Sequence, residues 1–294
     1  MEKQVERRII AFDMDGTLLN HKKKISFLTL HYLRKLTKQG HLIVLASGRP
    51  SRSLKKYYNQ LKLKTPMICY NGAYVFNPHD KNFPTIEFEF PKEIIVEVLD
   101  KIKSHIKNVM CETDTEIWVD KEDPYLDKYF WYDGMDVHYG EIKDTLNKNP
   151  MTCIVQTPYE YRESKEIDEA LVNYPQIAAR FWTGSPYFEL FYKETSKGNA
   201  LRKMCEYYKI PVEDLIVFGD AANDVEMFEA AGTAVLMSNA KYDLKDKATM
   251  ISVKDNNHNG IYHTLKKIIW LYTDIMHMER FYKNLHRYIV LHLF

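Results

Sequence analysis

The feature that most constrains this 294-residue chain is a pair of aspartates at the end of a short apolar segment. Residues 8–12 read RIIAF, which predicts a buried strand, and DMDGTLL follows at residues 13–19. Alternate residues of a strand share a face, so Asp13 and Asp15 can converge on one ion. Gly16 then permits a tight turn. The arrangement suits a nucleophilic carboxylate beside a proton-transferring one, with a hard divalent cation between them, although an ordinary acidic turn would use the same two aspartates.

The next forty residues predict a βαβ unit. A helix capped by Ser26 is indicated by apolar residues at three-residue steps: Phe27, Leu30, Leu33 and Leu36. Residues 41–50, HLIVLASGRP, then predict a second buried strand that ends in a small polar turn. A strand, a helix and a strand in this order form a parallel sheet, whose strands end at one edge. Ser47 is therefore expected near Asp13 and Asp15.

A second kind of pattern occupies the middle of the chain. Asn71-Gly72 predicts a hairpin after the strand at residues 66–70. From about residue 85, alternating segments and a helix near residues 92–106 predict a separate α+β unit with an antiparallel sheet. We therefore predict an α/β protein with a Rossmann-like parallel-sheet core at 1–84 and 190–294 and an inserted domain at 85–189. Five residues of the insertion could line a pocket or fill the core, with core favoured for most: Trp118, Tyr125, Tyr129, Trp131 and Arg180.

The parallel pattern resumes after the insertion. Lys197 opens a predicted helix, and residues 215–218 predict a buried strand that runs into Gly219-Asp220 and on to Asn223 and Asp224. Each residue has an ordinary alternative: Ser47 and Asn71 as turn residues, Lys197 as a solvated lysine, Asn223 and Asp224 as helix caps. Their joint occurrence, in order and on one sheet edge, favours a single site.

Phosphoryl transfer through an aspartate requires these residue types. Asp13 would be the nucleophile, and Mg²⁺ would cancel its repulsion with a phosphate dianion. Asp220 would supply a second carboxylate from the far strand. Lysine and hydroxyl donors would balance charge on the phosphate oxygens.

Composition and charge argue against several other classes of protein. Lysine plus arginine is 41 against 40 for aspartate plus glutamate, so no overall field draws the chain to nucleic acid. The four cysteines are dispersed without a CxxC pair, which predicts core residues in a reducing compartment. The charged N-terminus lacks a signal peptide's apolar segment, and no run is long enough for a membrane span. The expectation is a soluble cytoplasmic protein.

The tail, residues 268–294, is aromatic and basic. It predicts an amphipathic helix that docks on the core and supports stability, although His277, His286 and His292 leave metal binding open, and membrane-surface or dimer contact is also open.

These residues resemble the four motifs of the haloacid dehalogenase superfamily, and more narrowly the Cof-type sugar-phosphate phosphatases. The motifs, in chain order, are DMDGTLL at 13–19, SGRP at 47–50, SKGNAL at 196–201 and GDAAND at 219–224. The similarity covers roughly residues 7–270. It departs from the family pattern at Ser238 and Ala221, neither of which should touch catalysis.

The resemblance implies a role for each motif residue. Asp13 is the nucleophile, and Asp15 is the general acid and base. The Mg²⁺ ligands are the side chains of Asp13 and Asp220 and the backbone carbonyl of Asp15, with Asp224 orienting Lys197 or a metal-bound water. The phosphate is held by Met14, Ser47, Gly48, Lys197 and Asn223. The insertion is implied to be a mobile cap that excludes water and contacts the leaving group.

The expected function is therefore Mg²⁺-dependent hydrolysis of a small phosphorylated metabolite, expected to be a sugar phosphate. Two alternatives stay open at this point. A phosphomutase of the phosphomannomutase type shares the design, and a regulatory or binding protein can keep the fold without the activity. Oligomeric state is not indicated by the sequence.

Overall fold

The computed structural model describes residues 7–130, 132, 134–158, 165–182, 185–241 and 243–272. In the N-terminal part the strands are β1 (Ile9–Phe12), β2 (Leu42–Ala46), β3 (Met67–Cys69), β4 (Tyr74–Phe76) and β5 (Ile86–Glu87). In the middle they are β6 (Asn108–Glu112), β7 (Glu116–Val119), β8 (Asp136–Tyr139), β9 (Thr152–Gln156), β10 (Ile177–Phe181) and β11 (Tyr187–Tyr192). The last are β12 (Leu215–Gly219), β13 (Thr233–Leu236) and β14 (Met250–Ile251).

The described α-helices lie between and after these strands in the chain. They are α1 (Phe27–Lys38), α2 (Ser51–Leu61), α3 (Lys92–Lys101), α4 (Pro124–Phe130), α5 (Ile142–Thr145), α6 (Lys165–Leu171), α7 (Lys197–Tyr208), α8 (Val225–Ala230) and α9, residues 260–272. Ser26 and Ser196 cap α1 and α7, each accepting a hydrogen bond from the backbone N–H three residues on.

Within the described residues, one eight-stranded sheet has the order β14-β13-β12-β1-β2-β3-β4-β5. Its strands from β14 to β3 are parallel, and β4 and β5 add antiparallel at one edge. Strand β1 lies between β2 and β12, and every one of its residues is buried. Ile10 and Phe12 pack on one face, with α1 and α2, whereas Ile9 and Ala11 pack on the other, with α7 and α8. The predicted parallel α/β core is confirmed.

A second, six-stranded sheet has the order β10-β11-β9-β6-β7-β8. It was predicted to be antiparallel, and all of its pairs are, except that β7 and β8 run parallel. The reason is that α4 lies between them in the chain and carries it back to the same end, as a crossover helix does. Because β5 still belongs to the first sheet and β11 continues to Tyr192, we propose that the insertion spans about residues 88–193, slightly later than predicted at each border.

One predicted apolar position of α1 does not face the core. Leu33 and Leu36 are buried, but Phe27 is 71% exposed and packs its ring against His31 at 4.0 Å. Phe27 is the first residue of the helix, and it is not among the residues that the helix buries. The predicted helix is therefore present, but its first apolar position does not contribute to the core.

Within the described part, the C-terminal segment forms α9, whose Ile261, Leu265 and Ile268 are buried against the first sheet. The predicted docking of the tail beyond residue 272, and its three histidines, lie outside the described residues. Among those residues no helix combines the length and the apolar character needed to cross a bilayer. All four cysteines are free and buried, while the cytoplasmic location stays a prediction.

A buried histidine at the start of β2 makes stability depend on pH. His41 is 3% exposed, and its Nδ1 accepts a hydrogen bond from the Arg8 backbone N–H at 3.3 Å. Burial, together with the positive charge of Arg8, lowers the pKa of His41 to about 4. The unfolded chain therefore binds the proton first, so this contribution to stability is complete above about pH 6.5 and is lost as the pH falls toward 4.

We expect His41→Asn, which keeps an acceptor, to remove part of the acid sensitivity of folding. The change should amount to at most about 3 kcal/mol of unfolding free energy between pH 7 and pH 4. Urea unfolding of both proteins at several pH values measures it. The exposed His31→Asn is the matched control, and equal pH dependence in wild type and His41→Asn would contradict the prediction.

Candidate active site

Four segments far apart in the chain meet at the carboxyl edge of the first sheet. Asp13 directly follows β1, and Ser47 directly follows β2. Helix α7 begins at Lys197, and β12 leads into Asp220. The Asp13 N–H donates to the Phe218 carbonyl at 2.9 Å, which holds the ends of β1 and β12 side by side. The parallel arrangement thus brings together the residues that the sequence placed on one edge.

Asp13 and Lys197 form the centre of this site. The Lys197 ammonium lies 2.5 Å from Asp13 Oδ1 and 2.7 Å from Asp224 Oδ1, and its side chain is fully buried. Burial raises the pKa of Asp13 well above its usual range, against the opposing effect of Lys197, and the nearby carboxylates of Asp224 and Asp220 add to the rise. Although burial alone disfavours the ammonium ion, Asp13 and Asp224 raise the pKa of Lys197. Lys197 is therefore a fixed positive charge beside the candidate nucleophile.

The carboxylates of Asp13, Asp220 and Asp224 form a group that could hold a metal ion. Oxygen atoms of the three lie within 4.8 Å of one another. Burial raises the pKa of Asp220 to about 6, and repulsion from Asp224 adds to this, although Thr17 Oγ1 donates to Asp220 at 2.7 Å. One ammonium faces three carboxylates, so a divalent cation with oxygen ligands fits the charge of the site.

Asp224 differs from the other two carboxylates because its oxygens already have partners. Oδ1 accepts from Lys197, while Oδ2 accepts from the backbone N–H groups of Asp220 at 2.9 Å and Ala221 at 3.0 Å. The side chain is fully buried. We therefore propose that Asp224 orients Lys197 and the Asp220 loop, and that Asp13 and Asp220 are the side-chain ligands. The role of the Asp15 carbonyl stays a prediction.

Gly16 allows this loop to close. Its φ of +83° lies in the left-handed region, and a Cβ atom here would stand 2.2 Å from Asp220 Oδ2. Any larger residue would push into the carboxylate that the metal would need. The expected role of this glycine at the turn is confirmed by its conformation.

Asp15 is held by two cations that the sequence analysis did not assign to the site. Arg49 Nε lies 2.6 Å from Asp15 Oδ2, and Arg49 Nη2 lies 2.6 Å from Oδ1. Lys23 Nζ lies 2.5 Å from Oδ1, so the basic loop at residues 21–24, whose HKKK sequence is typical of a solvated turn, contributes a site contact. Burial alone would raise the pKa of Asp15, but these ion pairs lower it. The sequence signal that could have indicated Arg49 was its place in the SGRP segment, two residues after Ser47.

The predicted phosphate-binding residues surround Asp13. Ser47, Gly48 and Asn223 line one cavity with Asp13 and Asp15. The Met14 side chain is buried in the core, and a role for its backbone N–H stays a prediction.

Asn71 was assigned to hairpin chemistry, and it does lie in the turn between β3 and β4, with a left-handed φ of 53°. The assignment was incomplete, because its buried amide also accepts from Asn223 Nδ2 at 2.9 Å and donates to Glu189 at 3.1 Å. Local sequence patterns could not have shown these contacts, because Glu189 and Asn223 lie 118 and 152 positions after Asn71 in the chain.

The cavity has a volume of about 900 Å³, and both sheets line it. The second sheet and its helices contribute a mixed wall: Glu112, Phe130, Thr152, Ile154, Arg180, Phe181, Trp182 and Glu189. Arg180 thus lines the pocket, whereas Trp118 is fully buried in the core. The side chains of Tyr125, Tyr129 and Trp131 lie outside the described part of the structure. Since these residues of the insertion line the same cavity as the aspartates, this domain can contact whatever is attached to a bound phosphate.

Polar contacts join helix α2 of the core to the inserted domain beside this cavity. Arg52 Nη2 lies 2.5 Å from Glu112 Oε2 and 3.0 Å from the Phe130 carbonyl oxygen. Ser51 Oγ donates to Asp114 at 2.5 Å. Burial raises the pKa of Glu112 to about 7, although Arg52 opposes this. These contacts join α2 to the domain that supplies one wall of the cavity.

Comparisons with known proteins agree with this geometry. A family model described as haloacid dehalogenase-like hydrolase matches residues 10–265. The chain is 30% identical over 261 residues to the 5-amino-6-(5-phospho-D-ribitylamino)uracil phosphatase YitU of Bacillus subtilis, covering 88% of this chain and 96% of that protein. It is 26% identical over 267 residues to the pyridoxal phosphate phosphatase YbhA of Escherichia coli, covering 86% and 96%. A crystal structure of a haloacid dehalogenase-like hydrolase from Bacteroides thetaiotaomicron aligns with a TM-score of 0.75 at 25% identity, covering 89% of this chain and 99% of that chain.

Proposed function

Because this chain belongs to the haloacid dehalogenase-like hydrolases and is a phosphatase of that family, we propose that it hydrolyses phosphate monoesters of small metabolites, sugar phosphates among them, with Mg²⁺ as its metal ion. The observation that carries the proposal is the Asp13 carboxylate, which lies at the cavity in contact with Lys197, with Asp15 two residues away on the same edge.

In the proposed reaction Asp13 attacks the phosphorus atom and forms an aspartyl phosphate. Lys197 stays beside the nucleophile and balances charge on a phosphate oxygen, while Ser47, Gly48 and Asn223 bind the other oxygens. Mg²⁺, when bound by Asp13 and Asp220, would offset repulsion between the carboxylate and the phosphate dianion. Both side chains already lie in one carboxylate group, so little rearrangement is needed.

Asp15 is proposed to move the protons. It would protonate the leaving oxygen in the first step and accept a proton from the attacking water in the second. Arg49 holds both of its oxygens at 2.6 Å and so fixes the direction of the carboxylate. Asp15 lines the same cavity as the nucleophile and the insertion, which suits contact with the bridging oxygen.

The wall from the insertion supports a hydroxylated leaving group. Thr152 and Glu189 offer hydrogen-bonding groups, and Arg180 Nη1 is a buried atom that forms an ion pair with Glu189 at 3.5 Å but makes no hydrogen bond among the described residues. A ring or carbonyl oxygen of the substrate would satisfy that donor. Phe181 and Trp182 supply apolar faces for a sugar ring or a planar ring.

A panel of phosphomonoesters tests the function. Purified protein with Mg²⁺ is assayed for inorganic phosphate from hexose and pentose phosphates, a phosphorylated ribitylamino-uracil and pyridoxal phosphate, with parallel analysis for isomerised hexose phosphate. We expect phosphate release and no isomer. Isomer formation without phosphate release would favour the mutase, and no release from any ester would favour a regulatory protein.

We expect the activity to require Mg²⁺ and to be inhibited by Ca²⁺. The oxygen-only ligand group suits a small octahedral ion, whereas Ca²⁺ takes more ligands at longer distances and could engage both oxygens of Asp13. Steady-state phosphate release is measured after chelation, and then with Mg²⁺, Ca²⁺ or both restored. Undiminished turnover in excess chelator would contradict the metal assignment.

A further inference from the structure

Three side chains from different parts of the chain form a hydrogen-bonded series between the phosphate side of the site and the insertion. Asn223 Nδ2 donates to Asn71 Oδ1 at 2.9 Å, and Asn71 Nδ2 donates to Glu189 Oε2 at 3.1 Å. Asn223 follows β12, Asn71 follows β3, and Glu189 lies on β11 of the second sheet. All three line the cavity.

The series has a direction because its last member is a carboxylate. An ionised carboxylate only accepts hydrogen bonds, whereas an asparagine amide has one accepting and one donating end. Glu189 therefore selects the amide nitrogen of Asn71, which leaves the oxygen of Asn71 facing Asn223. That oxygen in turn selects the amide nitrogen of Asn223. A phosphate needs donors, so this is the orientation of Asn223 that phosphate binding requires.

Neither Asn71 nor Glu189 is free to turn away. The Asn71 side chain is buried, and a Cβ atom on Gly48 would come within 3.0 Å of its amide. Glu189 is 5% exposed, and its other oxygen accepts from Thr152 Oγ1 at 3.2 Å. Arg180 Nη1 lies 3.5 Å from the oxygen that Asn71 contacts. Burial raises the pKa of Glu189, whereas the positive charge of Arg180 and the hydrogen bonds from Thr152 and Asn71 oppose this rise and favour the ionised, accepting form.

We propose that Glu189 is a positioning residue that orients the Asn71 amide and, through it, presents the nitrogen of Asn223 to the phosphate. The inference rests on the proposed function in one respect, that Asn223 binds the phosphate. It adds that a residue of the insertion completes the phosphate pocket without contacting phosphate, so the pocket is complete only with the second sheet in the position seen here.

The first test is Glu189→Gln, which keeps the size of the side chain and can donate as well as accept. The Asn71 and Asn223 amides then lose their fixed direction. In the Mg²⁺-loaded protein, we expect the inhibition constant of inorganic phosphate against p-nitrophenyl phosphate to rise about 5- to 10-fold, because a hydrogen bond to a charged ligand is weakened and not deleted. The rise in Tm that inorganic phosphate produces should shrink in parallel.

In the second test, the same Glu189→Gln substitution is expected to strengthen phosphate binding instead of weakening it. Asn71→Asp places two carboxylates next to each other and should weaken phosphate binding more than Glu189→Gln does. Added to Asn71→Asp, however, Glu189→Gln supplies the missing donor, so the double variant should bind phosphate better than Asn71→Asp alone. A merely structural role for Glu189 would not make one substitution harmful in one background and helpful in the other.

Glu116→Gln is the matched control, since Glu116 is a carboxylate of the same sheet that pairs with Lys148 and His138 and does not line the cavity. Its phosphate inhibition constant should stay within about twofold of wild type, as for a change remote from the ligand. If Glu189→Gln leaves the phosphate constant and the phosphate-induced Tm shift unchanged, or is harmful in both backgrounds, the proposal is wrong. A wild type that releases no phosphate from any ester would count against the proposed function instead, and the Tm shift would still decide the role of Glu189.

Discussion

Asp13→Asn is expected to reduce phosphate release to the background of the assay, a loss of about 10⁵-fold or more, as for removal of a nucleophile. An amide does not attack phosphorus, and the substitution also removes one negative charge from the carboxylate group that would bind Mg²⁺. Folding should survive, because Lys197 keeps its 2.7 Å contact with Asp224 and repulsion among the buried carboxylates falls. Phosphate release at saturating Mg²⁺ and the Tm are the two measurements.

The control for this variant is Asp100→Asn, the same chemical change at an exposed position of α3. It should leave both the rate and the Tm at the wild-type values. Asp13→Asn protein that is folded and still turns over at a rate well above background would show that another residue is the nucleophile.

Asp15→Asn is expected to fold while losing about 10²- to 10⁴-fold in steady-state turnover of an alkyl phosphate, the usual contribution of general acid and base catalysis. The backbone at this position is unchanged, and asparagine nearly matches the size of aspartate. Asparagine keeps only one oxygen that can accept from Arg49 or Lys23, so part of these contacts is lost. Because the side chain of residue 15 is partly exposed, this loss should affect stability little.

A good leaving group separates the two roles of Asp15. With p-nitrophenyl phosphate the first step needs little acid help, but hydrolysis of the aspartyl phosphate still needs the base. The variant should then release a burst of about one phenolate per protein molecule before it slows, which is the signature of a covalent intermediate. Rapid-mixing absorbance measurements show the burst, and wild-type steady-state rates on an alkyl phosphate would refute the assignment.

Much of the core could be predicted because its determinants are local. Strands β1, β2 and β12 are short apolar runs, each followed at once by polar residues, and β1 is buried on both faces as such runs imply. Parallel strands end at one edge, so the order of elements alone brought Asp13, Ser47 and Asp220 together. The family assignment follows from the same residues and agrees with the match over residues 10–265.

The contacts of Arg49, Lys23, Asn71 and Glu189 depend on packing across long stretches of sequence. An arginine after a strand is as compatible with solvent as with Asp15, and the basic loop that contains Lys23 has no periodicity to interpret. Asn71 satisfies the hairpin rule whether or not its side chain is used. The exposed Phe27 shows the same limit. Apolar residues at three-residue steps predict a helix, but they do not show which of those side chains the rest of the fold will bury.

The central position of β1 also affects how the chain is made. Its two neighbours in the sheet are β2, which emerges from the ribosome about thirty residues later, and β12, which begins only at Leu215. All the strands of the second sheet are synthesised in between, so the insertion can fold while one edge of β1 is still unpaired. An open apolar edge invites pairing with other chains. Substitutions that weaken β12 should therefore reduce the yield of folded protein during synthesis before they alter the chemistry of the molecules that do mature.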